Sequence, residues 1–188
     1  VCETGARRVT RTEKDGTITV LADHFDGKRL NHPDDLVHSI DGSTYFTDPP
    51  VSALPAGERS DQKHAAVYQI MRDGKLRAVA TDFEQPAGLA FSPNQRILYV
   101  GESALGQIRA FDVEGDGALA NSRIFATLKS ETGATVGGIK TDVAGNVFCA
   151  GPGGVWVFDK TGVHLGTIEV PETPANIGWG DNFKSLYI

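Results

Sequence analysis

The sequence predicts an all-β fold of the β-propeller type. Three observations predict it: strand alternation with almost no helical periodicity, Gly-containing turn signals between the strands, and a Pro-containing unit that repeats along the chain.

The hairpins come first. Arg8-Val9-Thr10-Arg11 and Thr17-Ile18-Thr19-Val20-Leu21 flank Asp15-Gly16. Asp41-Gly42 separates Leu36-Val37-His38 from Thr44-Tyr45-Phe46, and Asp73-Gly74 separates Val67-Tyr68-Gln69-Ile70 from Leu76-Arg77-Ala78-Val79. Gly115-Asp116-Gly117, Ala144-Gly145-Asn146 and Lys160-Thr161-Gly162 continue the series. Asp-Gly between β-rich runs predicts two-residue type I′ turns, which need positive φ at both central residues.

The strands also repeat as a unit. Pro33-Asp34-Asp35-Leu36-Val37 leads to Thr44-Tyr45-Phe46-Thr47-Asp48. Pro86-Ala87-Gly88-Leu89-Ala90-Phe91 leads to Ile97-Leu98-Tyr99-Val100, and Val136-Gly137-Gly138-Ile139-Lys140 to Val147-Phe148-Cys149-Ala150. Pro174-Ala175-Asn176-Ile177-Gly178-Trp179 leads to Lys184-Ser185-Leu186-Tyr187-Ile188. Positions 34, 87, 137 and 175 recur at intervals of 53, 50 and 38 residues, bracketing the ~40–50 of four-stranded propeller blades. Each unit opens on a short loop feeding an inner strand, so these four positions are expected to ring one mouth of a central channel. The chain is expected to be one propeller domain over residues 1–188, covering about four blades and incomplete at both ends. The 49–64 loop reads as a surface crossover, with a lid over the mouth as the functional alternative.

Composition narrows the function. The 188 residues carry a formal net charge of −6, which argues against a phosphate-backbone partner. Arg7, Arg8, Arg11, Lys28 and Arg29 read as solvated charges. There is no apolar run of ~18 residues, so no membrane partner is expected. Cys2 and Cys149 read as small apolar strand residues; two cysteines make neither a disulfide framework nor a zinc site, although a bridge between them is possible. The compartment stays open between the cytoplasm and an exported location.

The motifs resemble a known family. The stretch from Arg29 through Asn31-His32-Pro33-Asp34-Asp35-Leu36 to Asp48-Pro49-Pro50 is similar to the SMP-30/gluconolactonase/LRE-like family of six-bladed propellers. So are Pro86-Ala87-Gly88-Leu89-Ala90-Phe91-Ser92-Pro93 and Gly151-Pro152-Gly153-Gly154-Val155-Trp156-Val157-Phe158-Asp159. The resemblance implies a lactone-like small-molecule substrate and a divalent cation, calcium before zinc. It implies Asp34 as a metal ligand, Asp35 as the catalytic base, and Asn31, His32 and Asn176 at the channel mouth. Two family ligand positions are lost, because they read Ala87 and Gly137 here, and neither side chain has an oxygen for a hard cation. Glu3 and Glu102 do not match the family's first-blade Glu, and Asp48 reads as a turn residue before Pro49-Pro50. The resemblance therefore implies a metal-dependent lactone hydrolase, with a catalytically degenerate small-molecule- or partner-binding propeller as the alternative.

Overall fold

The computed structural model describes residues 1–50, 61–129 and 135–188. Its regular elements are antiparallel strands with two single-turn 3-10 segments, Thr4–Ala6 and Ser103–Leu105. The chain divides into two compact units, Val1–Pro86 and Ala87–Ile188.

The first unit holds a three-stranded sheet of β1 (Cys2–Glu3), β2 (Arg8–Thr12) and β3 (Ile18–Ala22). A minimal hairpin, β4 (His24–Phe25) with β5 (Lys28–Arg29), leads to the sheet β6 (Leu36–His38), β7 (Thr44–Asp48), β8 (Ala65–Ile70) and β9 (Leu76–Phe83). Each strand of that sheet pairs with the next in sequence, the meander of a propeller blade. All six residues of β8 are buried, whereas β9 is largely half-exposed. A middle strand covered on both faces must be apolar almost throughout, while an outer strand can carry polar residues. Val9 and Ala22 of the first sheet pack against Phe46, Ala66, Tyr68 and Ile70 of the second.

The second unit repeats the plan. One meander runs through β10 (Pro86–Phe91, whose first residue closes the first unit), β11 (Ile97–Glu102), β12 (Gln107–Val113) and β13 (Leu119–Thr127). The next runs through β14 (Ile139–Thr141), β15 (Val147–Gly151), β16 (Gly154–Phe158) and β17 (His164–Glu169). A two-stranded sheet follows, β18 (Gly178–Gly180) with β19 (Ser185–Tyr187). Tyr99, Ile108 and Ala126 meet Ile139, Cys149 and Phe158 between the two larger sheets, and Ala150 and Val155 meet Ile177.

The turns differ from the type I′ expectation. At Asp15-Gly16 the Gly16 amide donates to Glu13 O (3.0 Å) and the Glu13 amide to Thr17 O (2.8 Å). The same pair of bonds closes the turns ending at Gly42, Gly74, Gly117, Gly145 and Gly162. Each of these glycines has φ between 81° and 90°, and no Asp of these turns has positive φ. This is a type I turn followed by one left-handed residue, a G1 bulge. The Asp carboxylate explains the choice. Asp15 accepts the Thr17 amide at 2.9 Å, Asp41 the Ser43 amide at 2.7 Å and Asp73 the Lys75 amide at 3.1 Å, which holds the Asp at negative φ and leaves the reversal to glycine.

Candidate functional site in the first unit

Between β5 and β6 the chain runs through Leu30, Asn31, His32, Pro33, Asp34 and Asp35 without regular structure. Nearly every backbone polar group there is tied down. Arg7 Nε donates to Leu30 O (2.6 Å) and Asn31 O (3.1 Å). Asp48 Oδ2 accepts the Asn31 amide at 2.8 Å, and the His32 amide lies against the same carboxylate. Thr4 Oγ1 donates to Pro33 O at 2.8 Å. The Asp34 amide donates to Thr47 O and the Thr47 amide to Asp35 O, both at 3.0 Å, so β6 and β7 continue their ladder back into the loop.

The side chains fall into two groups. Asn31 is buried, and its Nδ2 donates to His64 O at 3.2 Å. Asp35 is half-buried, with Oδ1 accepting the Leu36 amide at 2.9 Å. Asp34 is exposed and accepts no hydrogen bond from the described residues. Its carboxyl is pushed above the usual range by the surrounding protein and by the charge of Asp35. His32 is half-buried, and burial with the nearby Arg7 charge pushes its pKa down, which favours neutral imidazole. Burial pushes Asp48 up to about 7, against the opposing pull of the Asn31 amide, Arg7 and the His32 amide.

Two of these residues carry more than the sequence suggests. Arg7 is not a solvated charge: it is 5% exposed, because it caps the Thr4–Ala6 turn and folds its guanidinium under the loop. Asp48 is not fixing the turn before Pro49: it is 0% exposed, and its carboxylate points back to the Asn31 amide. The signal that could have found Asp48 is its place at the end of a buried strand, where an unpaired carboxylate is costly and must have a partner. Of the 49–64 loop, read from the sequence as a crossover or a lid, residues 51–60 lie outside the described residues.

The other sequence-predicted positions lie in the second unit. Ala87 is 8% exposed, and Asn176 is exposed with Oδ1 accepting the Ile177 amide at 2.8 Å. The Gly138 amide donates to Ala175 O at 3.0 Å and the Gly137 amide to Ala150 O at 2.8 Å. Backbone meets backbone here. A β-carbon on Gly88 would overlap Gly137 O, one on Gly137 would overlap Ala175 O, and one on Gly138 would overlap Asn176. Position 137, which the resemblance makes a metal-ligand position, therefore lacks not only a side-chain oxygen but also the room for a side chain. Among the described residues no group of three or more His, Cys, Asp or Glu side chains could hold a metal ion, and no helix is long and apolar enough to cross a membrane. Cys2 and Cys149 are both free thiols.

A sequence model of the SMP-30/Gluconolactonase/LRE-like region matches residues 1–188. A gluconolactonase of Zymomonas mobilis is 29% identical over 200 residues, covering 100% of this chain and 56% of that protein. The solved structure of a gluconolactonase from Xanthomonas campestris superposes with a TM-score of 0.89 at 35% identity, covering 98% of this chain and 62% of that one. A calcium-binding protein, regucalcin, from Agrobacterium tumefaciens shares the fold, with a TM-score of 0.77 at 17% identity over 94% of this chain and 59% of that one. The chain thus spans little more than half the length of these proteins, and its fold is the all-β propeller class that the strand repeats predict.

Proposed function

Because the chain belongs to the SMP-30/Gluconolactonase/LRE-like family, we propose that the protein hydrolyses a sugar lactone or a related ester, with the 31–35 loop of the first unit at the reacting centre. The observation that carries this reading is the gluconolactonase likeness along the whole chain, at 29% and 35% identity.

Lactone opening needs a base for the attacking water and a proton for the departing ring oxygen. Asp34 and Asp35 supply adjacent carboxylates on a loop whose backbone is held from several directions. Asp34, rather than the Asp35 that the resemblance implies as base, suits the proton-accepting role: it is exposed, and its raised pKa makes it a stronger base than an ordinary carboxylate. Asp35 contributes the charge that raises Asp34, while its own Oδ1 stays anchored by the Leu36 amide. The carboxylic acid formed on Asp34 can then return its proton to the ring oxygen as the C–O bond breaks. His32 offers a neutral imidazole on the same loop.

The family also suggests a divalent cation, calcium before zinc, with Asp34 as the retained ligand position. The described residues do not fit it. Ala87 has no side-chain oxygen, Gly137 has no space for one, and no three candidate ligands come together. The chain's own carboxylates, Asp34 and Asp35, therefore carry the proton transfers.

The test is hydrolysis of gluconolactone by the full-length protein, followed by proton release, with Asp34→Asn and Asp35→Asn beside the native enzyme. The expected result is catalysed opening that falls by roughly 100-fold or more in Asp34→Asn. No opening above the spontaneous rate would overturn the reading, and saturable lactone binding without turnover would favour a binding module instead.

A further inference from the structure

Arg7 and Asp48 hold the same stretch of backbone through complementary groups. Arg7 takes carbonyls, those of Leu30 and Asn31, and Asp48 takes amides, those of Asn31 and His32. One is a buried guanidinium and the other a buried carboxyl group, at 5% and 0% exposure. They reach the loop from different elements, Arg7 from the corner between β1 and β2 and Asp48 from the end of β7.

The conformation of Arg7 adds a second observation. It occupies the left-handed region at φ 57°, capping the Thr4–Ala6 turn. The corner between β11 and β12 has the same construction, a three-residue 3-10 turn after a buried Glu102, and there the capping residue at φ 61° is Gly106. Glycine occupies this conformation without strain and arginine does not. A strained residue at one of two equivalent corners suggests a task for its side chain.

A third observation excludes simple core building. Arg7 Nη2 and Asp48 Oδ1 are buried and have no hydrogen-bond partner among the described residues. The nearest ion-pair partner of Arg7 is Asp61, at 3.6 Å and 45% exposed. Buried charges with unsatisfied atoms stabilise a fold poorly compared with apolar side chains of similar volume. What the pair does provide is a fixed position for one loop.

We propose that Arg7 and Asp48 are paired positioning residues that set where the 31–35 loop presents Asp34 and Asp35 to substrate. The catalytic half of this statement rests on the lactone-hydrolase reading, and the positioning half does not.

The experiment compares full-length native protein with Arg7→Met, Asp48→Leu and the near-isosteric Asp48→Asn, by hydrogen exchange with mass spectrometry and by steady-state lactone hydrolysis. In Arg7→Met and Asp48→Leu the amides of residues 31–36 should exchange about tenfold faster or more, while β14 to β17 exchange as in the native protein. Asp48→Asn keeps one acceptor oxygen and should show a smaller effect. The kcat should fall roughly 10–100-fold with KM changed by less than about threefold, the signature of a misplaced catalytic group rather than lost binding. Unchanged loop exchange in all three variants overturns the proposal, and so does faster loop exchange with unchanged kcat. If the native protein opens no lactone, the hydrolase reading fails, and the exchange data alone decide whether the pair holds the loop. If the Leu and Met variants do not fold, Asp48→Asn carries the same comparison.

Discussion

The α-carbon of Gly137 packs so closely against the carbonyl oxygen of Ala175 that no side chain fits between them. The contact joins the segments that lead into β14 and β18, which the Gly138 amide also ties together through Ala175 O. Placing a carboxylate there is therefore a packing problem before it is a coordination problem. Gly137→Asp should lower stability by about 3 kcal/mol, the scale of overpacking against backbone that cannot swing aside. Calcium affinity should not rise. Urea denaturation and calorimetric calcium titration measure the two effects. An Asp variant that keeps the native midpoint and gains calcium binding would show that these two segments can separate to form a site.

The turn glycines separate two costs that usually arrive together. Gly74 sits at φ 83° with nothing within 4 Å of where a β-carbon would be, whereas Gly162 sits at φ 90° with the Phe125 carbonyl oxygen in that place. Gly74→Ala should cost about 1 kcal/mol, the strain of a left-handed alanine. Gly162→Ala should cost that strain plus about 1–3 kcal/mol of steric displacement. Chemical denaturation of the two variants side by side gives the difference directly. Equal losses would mean that the 159–163 turn can move off Phe125 freely.

Both thiols should be inert in the folded protein. Burial pushes Cys149 up to about 12, and burial together with the charge of Asp35 does the same to Cys2. At pH 8 the thiolate fraction of either is then on the order of 1 in 10,000. Alkylation with iodoacetamide, located by peptide mass spectrometry, should leave both unmodified in buffer and modify both in denaturant. Rapid labelling of Cys2 in buffer would show that the β1 end of the first unit opens readily.

The strand order was legible because its signals are local. Alternating apolar residues, the turn glycines and the short loops that open each repeat unit each act within a few positions. The turn type was not, because Asp-Gly fits two hairpin geometries, and the bond from Asp15 to the Thr17 amide selects one of them. Asp34 and Asp35 stood out as paired carboxylates on a motif. Arg7 and Asp48 did not, since burial of a charge depends on chain that arrives from elsewhere: Arg7 meets carbonyls 23 and 24 residues away, and Asp48 an amide 17 residues away. Ala87 and Gly137 could be seen to lack oxygen ligands, but the closed space beside Gly137 exists only in three dimensions.

Asp48 should leave a measurable imprint on stability against pH, with a sign opposite to that of an ion-paired carboxylate. Its pKa rises from 3.8 to about 7 on folding, so between those values the folded chain holds a proton that the unfolded chain has released. Stability from this group is then greatest below pH 4, falls as pH rises through the window, and levels off above about 7. The slope is at most about 1.4 kcal/mol per pH unit. The charged or titratable groups facing it are Arg7 at the β1–β2 corner, His32 in the loop, Tyr68 on β8 and Cys2 on β1. His32 acts in the opposite direction, because its pKa is lowered and the stability it contributes is lost as pH falls. The clean measurement is therefore a difference. The unfolding free energy of Asp48→Asn minus that of the native protein should increase from pH 5 to pH 8, since the amide has no proton to lose, while the His32 contribution largely cancels. A difference that stays flat across that range would place the ionisation of Asp48 near its unfolded value, with Arg7 and the loop amides outweighing burial.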